Sequence, residues 1–206
     1  MHFGILDSAL DVGRDFWLQG RDCDRIEIEI GPGDCGYLEA AARRSPRTLY
    51  VGIEIRPGAL ARVHGRRELP PNLHLLEGDG RWMALHLLAP ASIDAFHVYF
   101  PDPWWKKRHH KRRLFQPDFC QALARTLVPG GCVYVATDVA PLFAEIRAEL
   151  EAAGFLAEEW VRDAADPACS SYERKYRRQG RRFEQAMFRK PADAGETFVE
   201  QESSET

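Results

Sequence analysis

Residues Arg25–Gly36 read RIEIEIGPGDCG. The first six alternate charged and branched apolar residues, which is the two-residue period of a β-strand, and the glycines that follow end it in a turn. Working outward, the same grammar recurs. Thr48–Ile55 (TLYVGIEI) reads as a second strand, and Asn72–Glu77 (NLHLLE) as a third that ends at Gly78-Asp79-Gly80. Ile93–Phe100 (IDAFHVYF) is a fourth, stopped by Pro101, and Cys132–Thr137 a fifth, entered through Gly130-Gly131. Helical stretches fit between them at Tyr37–Arg44, Ala59–Arg67 and Arg81–Leu88, with a break at Pro70-Pro71. A helix from Pro117 carries Phe119, Ala122, Leu123, Thr126 and Leu127 on one face, and the next carries Leu142, Phe143, Ile146, Leu150 and Ala153 before Gly154 closes it. Phe155–Trp160 and Arg182–Phe188 are weaker strand candidates. Five strand-then-helix units predict an α/β fold, a doubly wound and mostly parallel sheet with helices on both faces.

At 206 residues, 45% hydrophobic and 29% charged, the chain has enough material for one sizeable core. Residues 1–190 are expected to form a single domain, with 191–206 as an acidic, disordered tail. The longest uncharged stretches, Trp82–Ile93 and Thr126–Thr137, fall well short of the roughly 20 residues of a membrane helix. No secretory signal is expected from MHFGILDSALDVGRD, so a cytoplasmic location follows. Five cysteines with no C-x-x-C pair argue against a disulfide framework and against a thiolate zinc site.

The net charge of −3 hides a strong local pattern. Lys106–Arg113 has six Lys or Arg in eight positions, and Arg174–Arg182 has six in nine. Without the five acids that follow Lys190, residues 1–190 carry +2. Two basic patches on a near-neutral body form the footprint of a polyanion-binding protein. His109 and His110 read as further phosphate contacts, since two adjacent histidines without a third partner make a poor metal site.

In open α/β sheets, ligands sit beyond the carboxyl ends of the strands. Here those ends deliver Glu29, Glu54, Asp79, Asp102 and Asp138, one carboxylate per strand. A single acid at such a place is ordinary turn chemistry. Five in succession point to a cationic or hydroxyl-rich ligand. Gly31, Gly33 and Gly36 also satisfy the dinucleotide pattern G-x-G-x-x-G, with Glu54 placed as its ribose-binding acid. A diphosphate, however, is repelled by Glu29, two residues before the first glycine. S-adenosylmethionine, with its ammonium and sulfonium, is not. Electrostatics favours that cofactor, and a nicotinamide-dependent oxidoreductase is the alternative.

The most specific stretch is Phe100–Leu114, FPDPWWKKRHHKRRL. Pro101 and Pro103 stiffen the backbone around Asp102, and Trp104 and Trp105 stand beside a run of cations, a combination suited to a base and its phosphates. This segment closely resembles the signature of the tRNA (guanine-N7)-methyltransferase family, in which FPDPW is followed by K-x-R-H-x-K-R-R. The resemblance extends from about Ile28 to Arg189 and includes IEIGPG, GIE at Gly52–Glu54, GD at Gly78-Asp79, ATD at Ala136–Asp138 and a C-terminal S-x-Y-E.

The resemblance implies a seven-stranded, Rossmann-like class I methyltransferase sheet whose last strand is antiparallel. It implies methyl transfer from S-adenosyl-L-methionine to N7 of a guanine in the variable loop of tRNA, with no metal. Glu29, Gly31, Gly33, Glu54, Asp79 and Asp102 are implied to bind the cofactor, and Asp102 to be catalytic as well. Lys106, Asp138, Ser170, Ser171, Tyr172 and Glu173 are implied to meet the RNA. A monomer or weak homodimer is expected. Ser170 replaces the family's usual Thr and Tyr172 its Phe, Trp105 stands where Pro is common, and Cys35 takes the place of a third alternate Gly. Two further readings stay open on the sequence: an RNA-binding relative without catalysis, and methylation of another nucleic acid or of a small molecule.

Overall fold

The structure, a computed structural model, describes residues 13–65, 68–162 and 168–192. Seven strands form one sheet: β1 (Arg25–Ile30), β2 (Thr48–Glu54), β3 (Leu73–Glu77), β4 (Ile93–Tyr99), β5 (Leu127–Thr137), β6 (Leu156–Glu158) and β7 (Glu184–Arg189). Their spatial order is β3-β2-β1-β4-β5-β7-β6. β1 to β5 pair in parallel, and β7 runs antiparallel to both β5 and β6. The helices are α1 (Arg14–Leu18), α2 (Gly36–Arg44), α3 (Ala59–His64), α4 (Gly80–His86), α5 (Pro117–Thr126), α6 (Ala140–Ala152) and α7 (Ser171–Arg178). This is the α/β sheet expected from the sequence, including its antiparallel last strand. The expected tail lies outside the described residues from 193 onward.

Register explains the pattern of residue types. One row across the sheet runs Val51, Ile28, Phe96, Val133, Phe188. All five are buried, and they pack under Phe119 and Leu123 of α5 and Leu142 and Ile146 of α6. Burial on both faces is why β2 and β4 read as near-continuous apolar runs. Pro117 opens α5 with no hydrogen bond to lose, and Thr126 closes it by donating its hydroxyl to the Ala122 carbonyl at 2.8 Å.

The neighbouring row faces the other way and reads Leu75, Gly52, Glu29, His97, Tyr134, Met187. It carries the polar groups. Gly52 leaves room for both neighbours: a Cβ would lie 2.7 Å from Leu38 Cδ1 and 2.8 Å from Leu75 Cδ2, so these side chains would have to move. α2 therefore settles closely on the sheet beside Glu29.

Three elements differ from expectation. β5 starts at Leu127 rather than Cys132, because Leu127 pairs with Ile93 before a register shift across Val128–Gly131. β6 is limited to the three residues that pair with β7. Ser171–Arg178 is helical although it carries no apolar stripe. Its buried residues are only Glu173 and Tyr176, and Ser170 caps it by accepting from the Glu173 amide at 3.1 Å.

We expect Gly52→Ala to destabilise the protein by about 1–3 kcal/mol, the range for overpacking a filled interior. Urea denaturation measures this, and an unchanged midpoint would show that α2 does not rest on β2 as described.

Candidate active site

β1, β2 and β4 end together at one rim, and the loops beyond them enclose a cavity of about 440 Å³. Glu29, Glu54, Asp79 and Asp102 all line it. So do Gly31 and Gly33 from the first loop and Ser170, Ser171 and Tyr172 from the start of α7. The loop turns sharply. Gly31 and Gly33 have φ of +75° and +57°, and Cys35 takes φ +59° before α2 begins. The first two are conformations only glycine adopts without strain. Cys35 adopts one despite its side chain, so the departure from a third glycine leaves the turn intact.

The four acids differ in state. Glu54 is 2% exposed and fully engaged. Its Oε1 accepts from the amide and Nε of Arg56, both at 3.0 Å, and its Oε2 from the Gly33 amide at 3.2 Å and Arg56 Nη2 at 3.0 Å. Burial alone would raise this carboxyl, but the Arg56 bonds outweigh it and hold it below the usual range. Asp79 caps α4, its Oδ1 accepting from the Arg81 and Trp82 amides at 2.9 and 3.2 Å. Gly80 then packs directly on Ile30, which a Cβ would meet at 2.8 Å. Asp102 is exposed at the mouth.

Glu29 is the exception. It is 2% exposed, and its Oε2 has no hydrogen-bond partner among the described residues. Burial pushes its carboxyl up to about 8, with Arg162 pulling against the rise and Asp34 and Glu54 adding to it. The cavity thus holds an uncompensated acid in its wall, poised for a cation.

The remaining expected site residues lie elsewhere. Asp138 does not line the cavity. It accepts from Arg181 at 3.1 Å, so the rim gathers four carboxylates rather than five. Glu173, expected at the substrate, turns inward. Its side chain is 2% exposed and bonds Arg177 at 2.7 Å, because the capped first turn of α7 points it beneath the helix. Lys106 stands exposed just before a 3-10 turn at Lys107–Arg112. Arg113, expected among the phosphate contacts, is buried instead. It donates to the Pro103 carbonyl and His110 Nε2, both at 2.9 Å, and pairs with Glu145, which clamps the Asp102 loop from behind.

Arg56 and Arg162 were not singled out from the sequence. Arg56 was open to discovery, lying two residues beyond Glu54. Arg162 had no local signal. Among the described residues no group of three or more His, Cys, Asp or Glu side chains is placed to hold a metal ion, and no helix is long and apolar enough to cross a membrane.

A family model described as "Putative methyltransferase" matches residues 24–186. The tRNA (guanine-N(7)-)-methyltransferase of Myxococcus xanthus is 35% identical over 173 residues, covering 81% of this chain and 84% of that protein. The chain belongs to the tRNA (guanine-N7)-methyltransferase family. The namesake from Burkholderia ambifaria is 41% identical over 122 residues, which are 58% of this chain and 47% of that protein. The chain thus spans about half the length of the Burkholderia ambifaria and Thiobacillus denitrificans relatives it matches. Among solved structures, a variant of the 16S rRNA (adenine(1408)-N(1))-methyltransferase from Catenulisporales acidiphilia, determined with its cosubstrate SAM, superposes with a TM-score of 0.60. It covers 90% of this chain and 94% of that one at 17% identity, a likeness of fold alone.

Glu29 makes stability depend on pH. Its carboxyl sits higher in the folded chain than in the unfolded one, so folding takes up a proton between the usual carboxylate range and about pH 8. Stability contributed by the protonated group is complete at acid pH and lost as pH rises through that window. Relative to Glu29→Gln, the native protein should therefore lose a few kcal/mol between about pH 5 and pH 8. Parallel stability profiles for the two proteins would refute the assignment.

Proposed function

We propose that this chain transfers the methyl group of S-adenosyl-L-methionine to N7 of a guanine in tRNA. The observation that carries the reading is the buried Glu29 carboxylate without a partner, in the wall of a cavity with basic residues along one lip. A site built for a pyrophosphate would not place that acid there. When bound, S-adenosylmethionine supplies a methyl group made electrophilic by the sulfonium. Glu29 fits its ammonium, and Glu54 its ribose hydroxyls in exchange for the Arg56 guanidinium. Asp79 offers the oxygen that does not cap α4. Gly31 and Gly33 leave the loop backbone bare for close approach.

Guanine N7 carries a lone pair and no proton, so the reaction requires no general base. What remains is to orient the base and exclude water. Tyr172 is exposed and stacks on Phe100, with ring centres 5.8 Å apart and planes 28° from parallel. It provides a fixed aromatic surface at the cavity edge next to Asp102. Ser170 and Ser171 add hydroxyls beside it. Positive charge grows on the guanine ring during transfer, and the Asp102 carboxylate stabilises it. Asp102 also suits the N1–H and N2–H edge of the base or the cofactor ammonium. Lys106, Lys107, Arg108, Lys111 and Arg112 are all exposed and suit phosphates, while Trp105, 73% exposed, suits a base. Asp138 faces the RNA only if it exchanges its Arg181 partner, and Glu173 supports Tyr172 from beneath. The enzyme works in the cytoplasm as a monomer or weak homodimer, without a metal.

Incubating the chain with unmodified tRNA and labelled cofactor should place the label in 7-methylguanosine. Label in another nucleoside, or thermal protection by NAD and none by S-adenosylhomocysteine, would overturn the reading. Asp102→Ala should lower methyl transfer by about 100-fold while leaving the melting temperature unchanged, as suits an exposed side chain. Arg56→Ala should leave S-adenosylhomocysteine binding intact or tighten it by up to about fivefold, the scale of an exposed ion pair. Weaker binding by calorimetry would mean that Arg56 contacts the cofactor itself.

A further inference from the structure

Arg162 lies in the connection between β6 and α7, outside both basic runs, and is 5% exposed. Its guanidinium sits over three rings, 4.6 Å from the centre of Tyr37, 4.7 Å from Tyr99 and 5.2 Å from Trp160. It donates to the Ala168 carbonyl, and its Nε, buried without a hydrogen-bond partner, stands 3.5 Å from Glu173 Oε2 as an ion pair. Arg177, one turn further along α7, donates to Glu173 Oε1 at 2.7 Å and to the Arg162 carbonyl at 3.1 Å. The first turn of α7 is therefore held from below by one residue, through its side chain and its backbone.

The two ends of this contact are informative. Tyr37 belongs to α2, directly after the glycine loop. Tyr99 closes β4, three residues before Asp102. Glu173 is adjacent to Tyr172, whose ring stacks on Phe100, the residue after Tyr99. Arg162 thus ties the helix that carries Tyr172, Ser170 and Ser171 to the strand that carries Asp102.

Packing alone does not call for an arginine. Burying a guanidinium forfeits hydration that a methionine does not have to lose, and an aliphatic side chain fills an aromatic cage equally well. What arginine adds is a planar fork that fixes direction. Behind Arg162 lies a second, polar cavity of about 330 Å³, bordered by Glu27, His97 and Tyr134. There His97 Nε2 is hydrogen-bonded to Glu27 at 2.9 Å and Nδ1 to the Tyr99 hydroxyl at 2.8 Å, so the cage wall is itself braced.

We propose that Arg162 is a positioning residue for the RNA side of the reaction: through Glu173 it sets where α7 presents Tyr172 and its serines beside Asp102. This rests on the methyl-transfer reading given above. Arg162 also lies near Glu29, so the useful variant keeps the positive charge and removes the fork.

Arg162→Lys is that variant. We expect its cofactor dissociation constant to stay within about threefold of the native value, while kcat/KM for tRNA falls on the order of tenfold or more, as small misplacements of substrate-positioning groups do. Glu173→Gln should produce the same split, and the double variant should lose no more than either single one. Hydrogen exchange should quicken at the amides of residues 171–178 and stay unchanged in β1 and β2. Native kcat/KM in both single variants, fully additive losses, or an equal loss of cofactor affinity would overturn the proposal. If the native chain itself methylates no tRNA, the functional reading falls. The exchange measurement then still decides whether Arg162 holds α7.

Discussion

A carboxylate is buried within the sheet, and the site is organised around it. Glu29 stands in a row between Gly52, which has no side chain, and His97, which is already bonded to Glu27 and Tyr99. Neither neighbour can satisfy it. Burying an ionised acid without a partner is among the costliest arrangements in a protein interior, and the group meets that cost by holding its proton. Its surroundings follow from this. The loop beyond β1 turns through left-handed residues and lines the cavity with bare backbone, α2 closes over Gly52, and Arg162 approaches from the far side without forming a hydrogen bond to Glu29. On the proposed function, Glu29 would release that proton to water and hold the cofactor's ammonium in its place.

The strand ends could be located from sequence because their signals are local. Alternating or continuous apolar runs stopped by glycine or proline give the end of each parallel strand to within a residue or two, and parallel strands must put those ends at one rim. What each acid does depends on its partners, and while Glu54 and Asp79 find theirs within a few residues, others are remote. Asp138 finds Arg181 forty-three positions away, and Glu173 finds Arg162 across a loop. Chain periodicity carries no record of such pairs. The α7 helix was hidden for a related reason. Ser170-x-x-Glu173 has the form of a capping box, but a helix that buries one glutamate and one tyrosine has no apolar stripe to announce it. Likewise Val128-Pro129 looks like a break between elements, and only pairing with Ile93 makes it strand.

The two basic runs, alike in composition, are used differently. In the second, Arg174 reaches Asp34 and the Cys169 carbonyl, Arg177 reaches Glu173, and Arg181 reaches Asp138. Those cations secure α7 and the end of β5. In the first run only Arg113 turns inward, where it clamps the Asp102 loop through Pro103 and Glu145. Lys106 and the four other cations, which follow it on a short 3-10 turn, stay exposed, Lys111 and Arg112 at the cavity itself. Counting charges in sequence overstates the surface available to a polyanion, because some arginines serve as internal struts.

This division lets one small site handle charges of both signs. Cations on the lip are solvated, so their fields fade over roughly 8 Å at physiological salt. Polyanion phosphates that touch the lip feel them fully, but Glu29 does not. The charges that act on its carboxyl are Arg162, Asp34 and Glu54, and none belongs to the lip. Were the basic turn close enough to neutralise Glu29, the acid would ionise in the free protein and have a protein partner before any ligand came. Were Glu29 and Glu54 exposed as Asp79 and Asp102 are, all four acids would face the phosphates. Depth separates the two functions: water screens the lip from the floor, and burial keeps the floor acid in reserve for a cation that can enter the cavity.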